Sequence, residues 1–245
     1  MKSVIIIPSR WKSSRFEGKS LALIDGKPMV QRVYERAIKS KEADDVIIAT
    51  DEKRIFNFCK KNKLKVIITS KNAKNGAERI SFATRKIDSK IFVNVQGDCP
   101  LTNPKSIDKV IFCLKNNISK GYHVSAGCAT DNNLKQDKRN SLGFVVISKS
   151  DDIIYTSRST IPFYKRNHKK VKMFRTVGLF AYTKEIIKKF PLLKSDLEKY
   201  EDLEILRFLE NNIKVKCAHV KEEISDVNYK SDIKRVENLL RKTKK

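Results

Sequence analysis

Ten residues, RWKSSRFEGK from Arg10 to Lys19, set four cations (Arg10, Lys12, Arg15 and Lys19) among serines beside the apolar run VIII at 4–7. Crowded positive charge next to a buried strand calls for an anion to offset the repulsion. Arginine grips two oxygens at once and lysine supplies a point charge, a combination suited to phosphate. Gly18 allows a tight turn within the loop. The stretch lacks GxxxxGK[ST] and GxGxxG, which argues against a Walker loop and a dinucleotide oxidoreductase. A solvated surface loop is the plain alternative. The five cysteines have no CxxC spacing and the three histidines do not cluster with them, so no zinc site is expected. Reduced thiols and a cytoplasmic location are the corresponding expectation.

The loop has to be carried by something, and the chain alternates apolar runs with amphipathic ones. Residues 4–8, 45–50, 65–69 and 90–95 read as strands covered on both faces. Helices are expected from Pro28 to about Ser40, after Asp51 as a cap, over 76–88, and from Pro104 to about Leu114. This rhythm predicts right-handed βαβ units and a largely parallel sheet. Ligands bind such sheets beyond the carboxyl ends of the strands. The basic loop, the ATD at 49–51 and the QGD at 96–98 are therefore expected to meet at one edge.

After about residue 120 the rhythm changes. Strand-like runs at 123–130, 142–148, 152–157 and 173–183 follow without long helices between them. Residues 129–172 read as a β-rich insertion, a sugar-binding or dimerisation subdomain within a single domain spanning 1–245. Helices are expected over 184–190, 197–211 and 229–243, with a late strand in IKVKCAHV.

The net charge of +25 fits an anionic partner, whether nucleotide, nucleic acid, acidic sugar or membrane surface. Lysines are scattered over the whole chain, which favours a compositional habit over a dedicated nucleic-acid surface. A basic nucleic-acid-binding protein stays as the competing class. No apolar run approaches the ~18 residues a membrane span needs. The start MKSVIIIPS is too short for a signal-peptide core.

The segment PSRWKSSRFEGKSL resembles the pattern [PA]-[AS]-R-x-x-S-x-R-x-x-G-K of sugar nucleotidylyltransferases, in the form found in 3-deoxy-manno-octulosonate (Kdo) cytidylyltransferases, which make CMP-Kdo from CTP. The likeness continues in order through VIIATDEKRI, NGAERI, VNVQGDCPL, YTSRSTIPF, VGLFAYTKE, LEKYEDLEILRFLENN and SDIKRVENL. It implies a three-layer, mostly parallel Rossmann-like sheet of the nucleotide-diphospho-sugar transferase type, with a small β-rich insertion. It also implies a homodimer and a role in lipopolysaccharide or surface polysaccharide synthesis.

The same resemblance implies roles. Arg10, Ser14, Arg15 and Lys19 fall on the triphosphate loop. Ala49, Thr50 and Asp51 fall near the cytosine and ribose, and Gly76 and Arg79 on the base-binding segment. Gln96 and Asp98 fall on Q-G-D, whose carboxylate binds Mg²⁺; a turn or cap residue is the plain alternative for Asp98. Lys19, Asp98 and Arg15 are the implied catalytic residues. Gln96, Arg158, Thr176, Tyr182 and Glu204 are implied on the sugar-acid side. Asp98 and Asn228 are implied at the metal, with Asp226 an alternative to Asn228.

The sugar side departs from the family pattern. Cys99 stands for Glu, Phe144 for Lys, Thr176 for His, Ile205 for Gln and Asn228 for Asp. Replacing hydrogen-bonding groups changes which hydroxyls a site accepts, so a relative of Kdo, an amino-Kdo or nonulosonate-type acid, is the alternative substrate. Trp11 is expected to cover the nucleotide or to pack the loop. FYKRNHKK at 163–170 is expected to be an exposed hairpin or a subunit contact.

Overall fold

A computed structural model describes residues 1–131, 141–163 and 172–243. Its centre is a nine-stranded sheet. The main path runs β11 (Val215–Val220), β7 (Val124–Asp131), β10 (Met173–Thr183), β6 (Ile91–Val95), β1 (Ser3–Ser9), β4 (Asp45–Thr50) and β5 (Val66–Ile68). Along it β10 alone runs against its neighbours β6 and β7; the other pairs are parallel. Beside it, β2 (Leu23–Ile24) and β3 (Lys27–Pro28) form a small hairpin around the Asp25-Gly26 turn.

The apolar run at the start of the chain shows why both faces are covered. Val4 and Ile6 enter one core with α3 (Gly76–Ala83), α5 (Lys184–Lys189) and α7 (Ile205–Glu210). Ile5 and Ile7 point to the other face, against α1 (Met29–Ala37), α2 (Lys53–Lys61) and α4 (Pro104–Lys115). Strand side chains alternate, so one continuous apolar run serves two helix layers. This is the expected three-layer α/β architecture. A third, smaller core seats α8 (Asp232–Thr243) on the β2–β3 hairpin through Ile24, Met29, Val227 and Val236.

Three local expectations change. Asp51 does not cap α2; Glu52 does, accepting from the Arg54 amide at 3.2 Å. The helix expected over 197–211 is two, α6 (Leu197–Glu201) and α7, because Asp202 turns left-handed at φ 49° between them. The final helix starts at Asp232, whose carboxylate accepts from the Asn228 and Tyr229 amides and closes the preceding turn.

Of the expected insertion, 132–140 and 164–171 lie outside the described residues. The described part holds β8 (Phe144–Ile147) and β9 (Ile153–Ser157), a hairpin that joins the same sheet through β8 against β10. Phe144, at an expected sugar-side position, is fully buried there.

Because β10 is antiparallel, its first half lies at the edge where β1, β4, β6, β7 and β11 end. A register shift between Thr176 and Phe180 bends it there. Gly178 makes this possible: its φ is +68°, and a Cβ would meet Gln96 Cγ at 2.9 Å.

Candidate active site

Loops from six strands meet past this edge and enclose a cleft of about 430 Å³. The basic loop after β1 forms one wall. It is closed by the Gly18 amide donating to the Trp11 carbonyl at 2.9 Å. Trp11 packs the loop: its indole donates to Glu17 at 2.9 Å, and the Arg54 guanidinium stacks 3.6 Å above its ring. Arg10, Ser14 and Arg15 are exposed along the cleft, while Lys19 is drawn inward.

The floor is the turn after β6. Gly97 is required because a Cβ there would collide with the Pro8 carbonyl. The turn delivers Asp98, which pairs with Lys19 at 2.6 Å; the Lys19 ammonium also donates to the Val227 carbonyl at 3.3 Å. The basic loop and the QGD turn therefore face each other, as the strand order requires.

The third contribution comes from the loop after β11, which carries Glu222 to Asn228. The Val227 amide donates to the Asp98 carbonyl at 2.9 Å, so this loop lies directly against the QGD turn. Burial, and then the neighbouring Asp98 charge, raise the Asp226 carboxyl above its ordinary range. Asn228 turns its amide nitrogen to Asp226. Among Asp98, Asp226 and Asn228, the two carboxylates carry the charge, and Asn228 orients one of them. Arg235 of α8 donates to the Ile224 and Asp226 carbonyls and pins the loop from behind. Sequence reasoning missed Arg235; it lies on an ordinary amphipathic helix and carries no local signal.

On the nucleotide side, Gly76 and Arg79 line the cleft at the start of α3. Arg79 is buried, pairs with Asp51 at 3.1 Å and donates to the Thr69 hydroxyl at 2.9 Å. Asp51 thus fixes Arg79. Ala49 and Thr50, expected beside the base, are fully buried in the sheet and do not line the cleft. They end β4 and so place Asp51, but their side chains have no access to a nucleotide.

On the opposite side Gln96, Arg158 and Thr176 line the cleft. The Arg158 guanidinium donates to the carbonyls of Ser141, Glu201 and Asp202 at 2.6, 3.0 and 2.7 Å. Tyr182 is corrected: it is 1% exposed, tilts against Phe208 with ring centroids 5.6 Å apart, and belongs to the core. Phe180, two residues earlier on the same strand face and nearer the edge, is the aromatic ring on the cleft wall. Glu204 also lines the cleft, but its two carboxylate oxygens accept from the Gly76 and Ala77 amides at 2.7 and 3.1 Å, facing the nucleotide side. Cys99 lies on the same wall, and burial raises its thiol well above the usual range, so it is a neutral group there.

Cations, a carboxylate pair and a buried arginine, gathered past the carboxyl edge of an α/β sheet, fit a nucleotide-binding transferase. Comparison with known proteins agrees. A family model described as cytidylyltransferase matches residues 4–223. The chain is 37% identical over 249 residues to the 3-deoxy-manno-octulosonate cytidylyltransferase of Chloroherpeton thalassium, covering 99% of each chain. It is 36% identical over 245 residues to the enzyme of the same name from Desulfatibacillum aliphaticivorans, covering 98% of this chain and 99% of that one. Among solved structures, a CMP:2-keto-3-deoxy-manno-octonic acid synthetase complexed with CTP superposes with a TM-score of 0.90 at 30% identity, covering 99% of this chain and 100% of that one. The chain belongs to the cytidylyltransferase family.

Proposed function

We propose that this protein couples CTP to 3-deoxy-manno-octulosonate or a close relative, yielding the CMP-sugar and pyrophosphate for lipopolysaccharide or surface polysaccharide synthesis. The carrying observation is the meeting of Lys19 with Asp98 at the floor of a cleft lined by Arg10 and Arg15. The full-length likeness to Kdo cytidylyltransferases supports the substrate pair. It also displaces the reading as a basic nucleic-acid-binding protein.

The chemistry follows from charge. A triphosphate repels a sugar carboxylate, and Arg10, Arg15 and Lys19 offset that repulsion from one wall. Arg158 and Gln96 line the opposite side, where the acid would lie. The anomeric hydroxyl then attacks the α-phosphorus in line; a new C–O–P link forms as the bond to pyrophosphate breaks, and the hydroxyl proton passes to solvent. Positioning and charge stabilisation carry most of such a transfer.

Mg²⁺ fits the oxygen donors on the floor. Asp98 and Asp226 are hard ligands; burial first, and then the Asp98 charge, raise the Asp226 carboxyl, and a divalent cation would offset both. Bound there with Asp98 and Asp226, with Asn228 alongside, the ion would supply neutralisation of phosphate charge.

A cytoplasmic setting is supported by five free thiols. A homodimer is supported by the exposed apolar side chains Ile154, on edge strand β9, and Phe163 just beyond it; a sedimentation mass of one chain would remove it. A second substrate reading, an amino-substituted Kdo, is favoured by Cys99, Thr176 and Ile205 on the cleft wall, where the family pattern carries Glu, His and Gln.

The test is pyrophosphate release with Mg²⁺, each of the four common nucleoside triphosphates, and a panel holding Kdo, an amino-Kdo and a nonulosonate. Release with CTP and an octulosonate alone is the expected result. Release with no sugar acid on the panel, or equal use of all four nucleotides, overturns the reading.

A further inference from the structure

Ten residues at the α6–α7 junction, Glu198 to Arg207, reach both halves of the cleft. Toward the nucleotide side, Glu204 accepts from the Gly76 and Ala77 amides. Glu198 accepts from the Asn75 side chain at 2.7 Å. Arg207 bridges Glu198 and Glu78, meeting the latter at 3.0 Å, and all three side chains are largely buried. Glu78 in turn accepts from the Lys74 amide at 2.9 Å. Toward the other side, Glu201 accepts from the Ser157 hydroxyl and the Arg158 amide, each at 2.7 Å, and the Glu201 and Asp202 carbonyls hold the Arg158 guanidinium. The left-handed turn at Asp202 aims these carbonyls at Arg158.

We propose that Glu204 is a positioning residue for the nucleotide: its carboxylate, alongside the Glu198–Arg207 pair that holds Asn75 and Glu78, fixes the amino end of α3, and with it Arg79, in the place where the base is recognised. The inference rests on the reading of the cleft as a CTP site. Two free amides at a helix start are natural donors to a carboxylate, and the charge is favoured by the helix dipole. The fit is tight: a Cβ at Gly76 would meet Glu204 Oε1 at 3.2 Å and Asn94 Nδ2 at 3.4 Å. Asn75 caps the same helix start by accepting from the Glu78 amide at 2.9 Å, and Glu204 takes the two amides that this cap leaves, those of Gly76 and Ala77. The segment carrying it lies 128 positions away in sequence, so the restraint is a feature of the fold.

The clamp encloses a titratable group. Desolvation, the largest influence, pushes the Glu204 carboxyl up to about 7, although the Gly76 and Ala77 amides pull it down. The charged or titratable groups that act on it are Glu198 and Arg207 from its own segment and Tyr182 from β10. Burial raises the Tyr182 phenol well above its ordinary range, so it stays neutral through this window. Above about pH 7 Glu204 is ionised and both oxygens accept. A carboxyl raised above its solvated value binds a proton more tightly in the clasp than out of it, so acidification favours the clasp and does not open it.

The experiment is CTP binding by calorimetry, and KM and kcat for CTP by pyrophosphate release, at about pH 8 for the wild type, Glu204→Gln and Glu204→Asp. Glu204→Gln, which replaces one acceptor oxygen by a donor facing an amide donor, should raise the KM for CTP about tenfold and leave kcat within about threefold. Glu204→Asp, which keeps both acceptors on a shorter arm, should raise the KM less. A Glu204→Gln protein that keeps the wild-type KM and CTP affinity, or one that loses kcat alone, overturns the inference. If Glu204→Gln fails to fold, Glu204→Asp is the deciding variant, and a wild-type KM in it overturns the inference. Absence of any turnover or CTP heat in the wild type would instead be the failure of the cytidylyltransferase reading.

Discussion

The Lys19 ammonium and the Asp98 carboxylate meet at 2.6 Å across 79 positions of sequence. Their side chains are 12% and 20% exposed, so the pair is shielded but open to the cleft. A shielded cation beside a shielded acid presents both signs of charge to the cleft. Asp98→Asn should lower turnover at least about a hundredfold, the scale of losing one charge-stabilising group, while circular dichroism and the melting temperature stay near wild type. Lys19→Ala should do the same. Pyrophosphate release near the wild-type rate in either variant would remove that residue from the chemistry.

The carboxylate pair predicts an order of effects. Asp226→Asn removes a charge beside Asp98 and should raise the Mg²⁺ concentration for half-maximal turnover about tenfold or more. Asn228→Asp adds a charge and should lower it. Chelation with EDTA should stop turnover, and added Mg²⁺ should restore it. A Mg²⁺ titration unmoved by Asp226→Asn would shift the metal reading to Asp98 alone.

Asp51→Asn should act on stability and nucleotide together. Arg79 is 3% exposed, and its charge is partnered by Asp51 at 3.1 Å. Removing one member of a buried pair costs on the order of 3 kcal/mol; the partial exposure of Asp51 brings this to about 1–2 kcal/mol. A fall of about 2–8 °C in melting temperature follows for a chain of this size, together with a raised KM for CTP. Unchanged melting and unchanged KM would show that the Thr69 hydroxyl and the Ser70 carbonyl suffice to hold Arg79.

Gly178→Ala tests the bend in β10. The left-handed backbone costs an alanine roughly 1–2 kcal/mol, and its methyl group would press on Gln96. Lower thermal stability with a larger loss in KM for the sugar acid than for CTP is the expected pattern, read by thermal melts and initial rates. Equal losses toward both substrates would show that the bend does not serve the sugar side selectively.

Much of the scaffold was legible in the chain. The strand expected over 45–50 is β4 residue for residue, because a run of branched apolar residues bounded by polar ones has few other stable forms. The meeting of residues 10–19 with 96–98 followed from the same runs, since parallel strands joined by right-handed crossovers bring their carboxyl ends to one edge. Less of the site was legible. Helix periodicity ran through 197–211, and only the backbone of Asp202 shows the break that aims two carbonyls at Arg158. Asp51 looked like a cap, and only the Glu52 bond to the Arg54 amide and the pairing of Asp51 with Arg79 show otherwise.

The sequence by itself determined which strands exist, which faces they bury and which edge gathers the polar loops, because these depend on local pattern and chain chirality. Tertiary structure alone decided that Phe180 and not Tyr182 reaches the cleft. It also decided that Asp226 brings charge to Asp98, and that Glu204 clasps the start of α3. Those outcomes depend on where a strand bends and on which distant backbone amides lack a partner, quantities set only when the whole sheet is assembled.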